Sequence, residues 1–485
     1  MSSQPQNAAA IQRLLQQAAA LQQQQRPMDA AYTLEQVLSI DPAHYVALTT
    51  LAQIALAAGR IDICANYAQR AHQSNANGYE ALAVLAECHQ RNGDTAGALD
   101  CMRRIRSLRP DDARVNYNIA ILEERQDNSN AAADAYERAL ALDPDHHDAR
   151  ANLAMLRLAQ GDDATALAHC AERLQRLRGS DSDVVKQEPA SKFKLQMDLE
   201  QLNYLREHDR LPDAARELPE ALAAVVADLD EAGDDEVFAL PHPKYHWKSH
   251  WAIAAKHHNR PLHVPDVTLP DGPLINPDLD IDGLTTTYHE SEPNVVVVDN
   301  LLTPAALDAV LRFCREATIW FDLRQNYVGA YFVDGFANAL TLGIARELEQ
   351  ALPGIFAGHS LTQAWGYKYG AALSGIGMHA DAAAVNSNFW IAPDAANRDP
   401  ERGGLLIYRK AAPMAWSFEQ FNNDEVAMRD FLGDALNDPI RIPHKQNRIV
   451  IFNSNLFHRT DDIQFGNSFL ERRYNMTLLF GRRGR

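Results

Sequence analysis

Small and apolar positions recur through the first third of the chain every 34 residues. Leu51-Ala52, Leu85-Ala86, Ile119-Ala120 and Leu153-Ala154 form one register, and Cys64, Ala98, Ala132 and Ala166 a second. Gly59, Gly93, Asp127 and Gly161 form a third, and Pro42, Pro110 and Pro144 a fourth, with Ala76 at the node that lacks proline. The pattern predicts paired helices beginning near Ile11, Tyr45, Tyr79, Ala113 and His147, held close by small residues where they touch. The first pair is weakly marked. The last carries Arg178 where proline is due and reads as a cap. Helical spacing continues over 192–210 and 218–229. Beyond Asn294 the period shortens. Val295 to Val298, Gln363 to Tyr369, Val385 to Ile391, Arg448 to Phe452 and Arg473 to Phe480 predict strands. Two helices interrupt them: one from the cap Thr303-Pro304 to about Ala317, the other over 337–352.

A 34-residue period with small residues at helix contacts and proline at the end of the second helix resembles the tetratricopeptide repeat family over about residues 11–180. The resemblance implies an all-α solenoid with a concave groove, because each helix pair buries its apolar face only against its neighbours. Tyr45, Tyr79 and Asn116 are candidates to line that groove, and core packing is an equal reading for the aromatic residues. Such an array serves scaffolding or oligomerisation, or it captures a peptide or protein.

The candidate chemistry lies among the strands. His379-Ala380-Asp381 is followed by His458, 77 residues after the aspartate, and by Arg473, 15 residues further on. In an extended segment residues i and i+2 point the same way, so His379 and Asp381 can reach one ion, with His458 arriving from a later strand. Two imidazoles and one carboxylate on one face of a metal leave the opposite face open. This donor set suits a non-heme Fe(II) that binds both a co-substrate and dioxygen. Arg473 offers a bidentate cation to a carboxylate. It alternates in phase with Asn475 and Thr477, whereas its neighbour Arg472 falls on the opposite face. Gln363, Trp365, Tyr367 and Tyr369 share a strand face, as do Asn386 and Asn388. Tyr367, Tyr369 and Asn388 join Asn475 and Thr477 as candidate co-substrate contacts, with packing an equal reading for the two tyrosines.

Several segments in order resemble the 2-oxoglutarate/Fe(II)-dependent dioxygenases, most closely their prolyl-hydroxylase-like branch, over about residues 290–485. They are Asn294 to Asn300 with Leu301-Leu302-Thr303-Pro304, Tyr367-Lys368-Tyr369-Gly370, His379-Ala380-Asp381, Gly403 to Tyr408, His458 and Arg473. The resemblance implies a double-stranded β-helix, a jelly-roll or cupin-like architecture, with flanking helices. It implies Fe(II) held by His379, Asp381 and His458, and 2-oxoglutarate chelating that iron with its distal carboxylate on Arg473. It also implies O2 as oxidant and ascorbate as reductant. One departure is Arg473 itself. Collagen-type prolyl hydroxylases carry lysine there, so their substrate is not carried over.

The expected layout has three parts: a repeat domain over 1–180, a helical connector with a Pro/His-rich arm over 181–285, and an oxygenase domain over 286–485. A polar break at Ser180 to Asp183 opens the connector, and Leu240-Pro241-His242-Pro243 opens the arm. There His246 and His250 stand one helical turn apart beside Trp247 and Trp251, without a cysteine or carboxylate at ligand spacing, so packing outweighs a second metal site. Residues 411–445 read as an insertion, either a lid or a specificity element. The 485-residue chain has a net charge of −18, which disfavours nucleic acid as partner. No apolar run is long enough to span a membrane, and Met1 to Ala20 does not read as a signal peptide. Five cysteines in helical patterns fit a reduced, cytoplasmic chain. The expectation is a hydroxylase of a peptide or protein side chain (prolyl, asparaginyl or aspartyl), recruited by the repeats. The alternatives are a small-molecule hydroxylase whose repeats serve oligomerisation, and a non-catalytic interaction protein with a decayed oxygenase domain.

Overall fold

The computed structural model describes residues 3–179, 188–229, 236–240, 242, 244–245, 247–373 and 376–484; Ser180 to Asp183, Pro241, Pro243 and His246 lie outside them. The chain divides into two compact units, Met1–Leu153 and Ala154–Arg485.

The first unit is a run of antiparallel helix pairs. Its helices include Ser3–Gln23, Pro27–Ile40, Tyr45–Ala57, Ile61–Ser74, Tyr79–Arg91, Thr95–Leu108, Ala113–Arg125 and Ser129–Leu142. Three of them start at the expected Tyr45, Tyr79 and Ala113. The small-residue registers are contact positions: Ala52, Cys64, Ala86, Ala98, Ala120 and Ala132 are fully buried. The third register is a left-handed backbone position between the two helices of each pair. Gly59 and Gly93 adopt φ of 71° and 75°, and Asp127 holds the same turn at 59°. Gln25, one period earlier, holds it at 58°. Asn116 is buried and donates to the Asp112 carbonyl at 3.2 Å, so it does not line a groove. Tyr45 donates to Glu80 of the next repeat at 2.8 Å.

The second unit begins inside helix His147–Ala159. Helices Asp163–Arg178, Lys192–Glu207, Leu218–Asp228, Ser249–His257 and Ile281–Glu290 precede most of its strands. Those strands are β1 (Ala190–Ser191), β2 (Val237–Phe238), β3 (Val295–Val298), β4 (Asp322–Arg324), β5 (Tyr327–Tyr331), β6 (Leu361–Tyr369) and β7 (Ala372–Leu373). Then follow β8 (Val385–Trp390), β9 (Leu405–Ala411), β10 (Ile440–Ile442), β11 (Arg448–Asn453), β12 (Leu456–Thr460), β13 (Ile463–Gln464) and β14 (Tyr474–Phe480). A seven-stranded antiparallel sheet runs β3-β11-β8-β14-β6-β5-β4, and a three-stranded one β10-β9-β12. An isolated bridge joins His379 to His458 on β12, and β13 and β7 pair in a separate two-stranded sheet.

Alternation gives the large sheet two characters. One face turns Val296, Val298, Phe389, Ile449, Ile451, Met476 and Leu478 into a core shared with helices Pro304–Glu316 and Ala339–Ala351. The other meets the small sheet, with Trp390, Val450 and Phe452 packed on Leu405, Ile407, Ile442 and Leu456. Polar Asn386, Asn388, Asn475 and Thr477 share this second face, which positions the site.

Packing does not follow the expected boundaries at 180 and 286. Arg346 forks onto Asp163 at 2.6 and 3.0 Å, and Arg178 onto Asp334 at 2.6 and 2.7 Å. Gln201 donates to the carbonyls of Arg315 and Ala317 at 3.0 and 2.8 Å. Ala154, Leu158, Ala166, Cys170, Phe193 and Met197 belong to the core beneath the large sheet. The last expected repeat and the connector are therefore built into the second unit. In the arm, Trp251 is buried, and Lys248, His250 and Trp251 all bond Asp228 at 2.6–2.9 Å. Residues 411–445 also prove composite, since β10 within them is a strand of the small sheet.

Candidate functional site

Residues from three segments converge between the sheets. His379 and His458 exchange backbone hydrogen bonds at 3.0 and 2.8 Å, and the Asp381 amide donates to the Ser454 carbonyl at 3.0 Å. The side chains of His379, Asp381 and His458 bring donor atoms within 4.8 Å of one another. His379 Nε2 stands 3.9 Å from Asp381 Oδ1, and His458 Nε2 3.4 Å from Oδ2. Each imidazole has Nδ1 at a backbone carbonyl, Gly377 at 2.9 Å for His379 and Leu456 at 3.0 Å for His458. With Nδ1 held there, Nε2 is the ring atom that faces the carboxylate and would ligate a metal. Asn386, fully buried, donates to Asp381 Oδ2 at 2.6 Å.

Electrostatics favour the ligand forms. Burial, then the neighbouring His458, pushes the His379 pKa below its ordinary value. Burial works to raise that of Asp381, but hydrogen bonding and attraction from His458, with help from His379 and Asn386, leave it lowered. A neutral imidazole beside an ionised carboxylate is the state that a divalent transition metal binds. Nitrogen and oxygen donors of this kind fit Fe(II) among other such ions. No comparable cluster forms around His250 among the described residues.

A cavity of about 60 Å³ opens from the three donors. It is lined by Trp365, Tyr367, Tyr369, Asn386, Asn388, Thr460, Asn475 and Thr477 besides the donors themselves. Every metal-ligand and co-substrate candidate named from the sequence therefore reaches this cavity except Arg473. Arg473 lies at the end of the same face, 1% exposed, its guanidinium 4.4 Å over the Tyr369 ring. Its Nε donates to the Gly403 carbonyl at 2.9 Å, while Nη1 is buried without a partner. Burial lowers its pKa, and Tyr369 opposes that shift. Arg472 is committed elsewhere, forked on Glu200 at 2.6 and 3.0 Å.

Asn386 and Thr460 were missed as site residues. The alternation linking Asn386 to Asn388 was the available signal for the first; none marked the second. A larger cleft of about 490 Å³ shares His379, Asp381, Trp365 and Tyr367 with the cavity. Tyr327, Tyr331 and Arg324 form part of its wall, with Phe418, Asn422, Asn423 and Glu425 from the 411–445 segment.

Residues 135–168 match a family model described as tetratricopeptide repeat. No curated protein matches the chain. Among solved structures, MamA from Desulfovibrio magneticus RS-1 is 16% identical, covering 36% of this chain and 98% of its own, with a TM-score of 0.33. The Pseudomonas aeruginosa PilF structure is 15% identical over 47% of this chain and 95% of its own, TM-score 0.32. YrrB, titled a TPR protein with an unusual peptide-binding site, is 13% identical over 34% and 84%, TM-score 0.31. At these scores the likenesses add nothing to what the period and the helix pairs establish: a repeat solenoid at the N-terminal end. No helix among the described residues is long and apolar enough to cross a membrane.

Proposed function

We propose that the second unit is an Fe(II)/2-oxoglutarate-dependent dioxygenase that hydroxylates a peptide or protein side chain, and that the repeats recruit that substrate or a partner. The observation that carries the reading is the convergence of His379, Asp381 and His458 within 4.8 Å of one another on the wall of a cavity. The strand orders support it. From β6 onward, β6, β8, β11 and β14 fall in the large sheet in the order β11-β8-β14-β6, while β9, β10 and β12 form the small sheet, a division that suits a double-stranded β-helix, and His379 bridges to His458 on β12.

Bound there, Fe(II) with 2-oxoglutarate and O2 supplies the oxidant that converts a C–H to C–OH while 2-oxoglutarate becomes succinate and carbon dioxide. The chain's own residues do the rest. Gly377 and Leu456 carbonyls fix the two imidazoles, and Asn386 orients the Asp381 carboxylate. The buried Arg473, with Nη1 unpaired, is the cation for the distal carboxylate of the co-substrate, braced by Tyr369. Asn388, Asn475 and Thr477 supply polar wall, and Asn388 is itself held by a 3.1 Å bond to Thr477. Trp365 and Tyr367 border both cavity and cleft, beside the donors His379 and Asp381. The breadth of the cleft favours a side chain presented on a polymer over a small enclosed metabolite.

The test is succinate formation from 2-oxoglutarate by the full chain with Fe(II), ascorbate and O2. Turnover in the wild type that is absent in His379→Ala is expected. Equal turnover in His379→Ala overturns the assignment, as does a wild type that neither forms succinate nor retains Fe(II).

A further inference from the structure

Two of the five cysteines meet, far in sequence from the site just described. Cys64 lies on helix Ile61–Ser74, the second helix of one repeat, and Cys88 on Tyr79–Arg91, the first helix of the next. Both are buried, and Cys88 Sγ lies 2.8 Å from Cys64 Sγ as a hydrogen-bonded thiol pair. That is roughly 0.75 Å beyond a disulfide bond of about 2.05 Å. The repeat explains why the sulfurs meet. One period earlier the same two positions carry Ala30 and Ile54, and one period later Ala98 and Leu122. There the first position carries alanine and the second a larger aliphatic residue, and close helix approach at small residues is what a disulfide's short Cα separation needs. Only the Cys64–Cys88 pair places sulfur at both positions within this series.

We propose that Cys64 and Cys88 are a modification site: they close as a disulfide that staples two consecutive repeats. With a peroxide as oxidant, one thiolate attacks the peroxide oxygen and becomes a sulfenic acid with loss of water. The second thiol's sulfur then displaces the sulfenic oxygen as a second water. Overall two thiols and one hydrogen peroxide give one disulfide and two waters. Burial, then the contact with Cys88, pushes the Cys64 thiol up to about 12. The packed interface therefore reacts slowly. Closure occurs as the helix pair opens or folds, and the closed bond is then sheltered from reductants by the same burial.

The full chain is treated with hydrogen peroxide in its folded state and, in parallel, refolded from denaturant with peroxide present. It is then alkylated in denaturant and digested with trypsin without reductant. Cleavage after Arg60, Arg70 and Arg91 leaves Cys64 in one peptide, residues 61–70, and Cys88 in another, residues 71–91. The expected product is these two peptides joined, about 2 Da lighter than their sum, and separated by dithiothreitol. Oxidation is expected to raise the Tm of the repeat transition by roughly 5–10 °C. Cys88→Ala, which replaces one sulfur with a small apolar group, loses both the linked peptide and the Tm shift. Recovery of both peptides fully alkylated after both treatments overturns the proposal, and so does Cys64 linked to another cysteine.

Discussion

Removing the Asn386 carboxamide tests how the three donors are held. The bond to Asp381 Oδ2 is 2.6 Å, fully buried, and made to a carboxylate whose pKa is already lowered by its surroundings. A charge-assisted hydrogen bond of this kind contributes about 1.5–3 kcal/mol. If that energy serves to hold Asp381 in its ligand orientation, Asn386→Ala loses it from metal binding. At about 1.4 kcal/mol per decade the loss is roughly 10–100-fold in affinity, the range typical of a residue that orients a metal ligand. The assay is anaerobic calorimetric titration of Fe(II), or of Mn(II) as a redox-stable substitute, into wild type and variant. Thermal melting of the apo proteins separates the metal effect from the stability cost of a small cavity. An affinity within twofold of wild type, in a variant that melts normally, refutes the reasoning: Asp381 would then be fixed by its backbone alone.

Three further outcomes follow from the same geometry. His258 and His444 are buried and held neutral, their pKa values lowered chiefly by burial to about 4 and about 3. The unfolded chain takes up their protons near pH 6.5. The second unit therefore loses stability as pH falls from about 6.5 to 4, by up to about 1.4 kcal/mol per pH unit per histidine. Urea unfolding of His444→Gln is expected to show a shallower slope over that window, and an unchanged slope counts against it. Arg473→Ala is expected to raise the 2-oxoglutarate requirement at least 10-fold while the metal affinity moves little; titrating each ligand separately checks this, and the reverse pattern moves the anchor elsewhere. A fragment of residues 154–485 is expected to fold and melt cooperatively, whereas one of residues 286–485 is not, because it lacks the Asp163, Arg178 and Gln201 contacts; circular dichroism melts decide it.

Local pattern carried much of this architecture. Helix starts at Tyr45, Tyr79, Ala113 and His147 were set by periodicity, and the φ-positive turn at Gly59 and Gly93 was visible as a register. Gln25 in that turn was not, because its side chain does not announce a left-handed backbone. Alternation along Arg473, Asn475 and Thr477 separated Arg473 from Arg472, which the structure forks on Glu200. What pattern could not give was pairing between distant segments. The order β3-β11-β8-β14-β6-β5-β4 joins strands far apart in sequence, and a strand's own residues do not name its neighbour. The same limit hid the wall built by Phe418, Asn422 and Glu425. It also hid the domain boundary, where a polar stretch at Ser180 outweighed ion pairs made across more than 150 residues.

Retention of 2-oxoglutarate under anaerobic conditions tests the central claim most directly, because it needs no substrate. The full chain is equilibrated with radiolabelled 2-oxoglutarate, with and without Fe(II), and passed through a desalting column. The account predicts about one molecule retained per chain, only when Fe(II) is present, and none by Asp381→Ala. Retention that ignores Fe(II) and Asp381, or no retention by folded wild type at millimolar ligand, contradicts it.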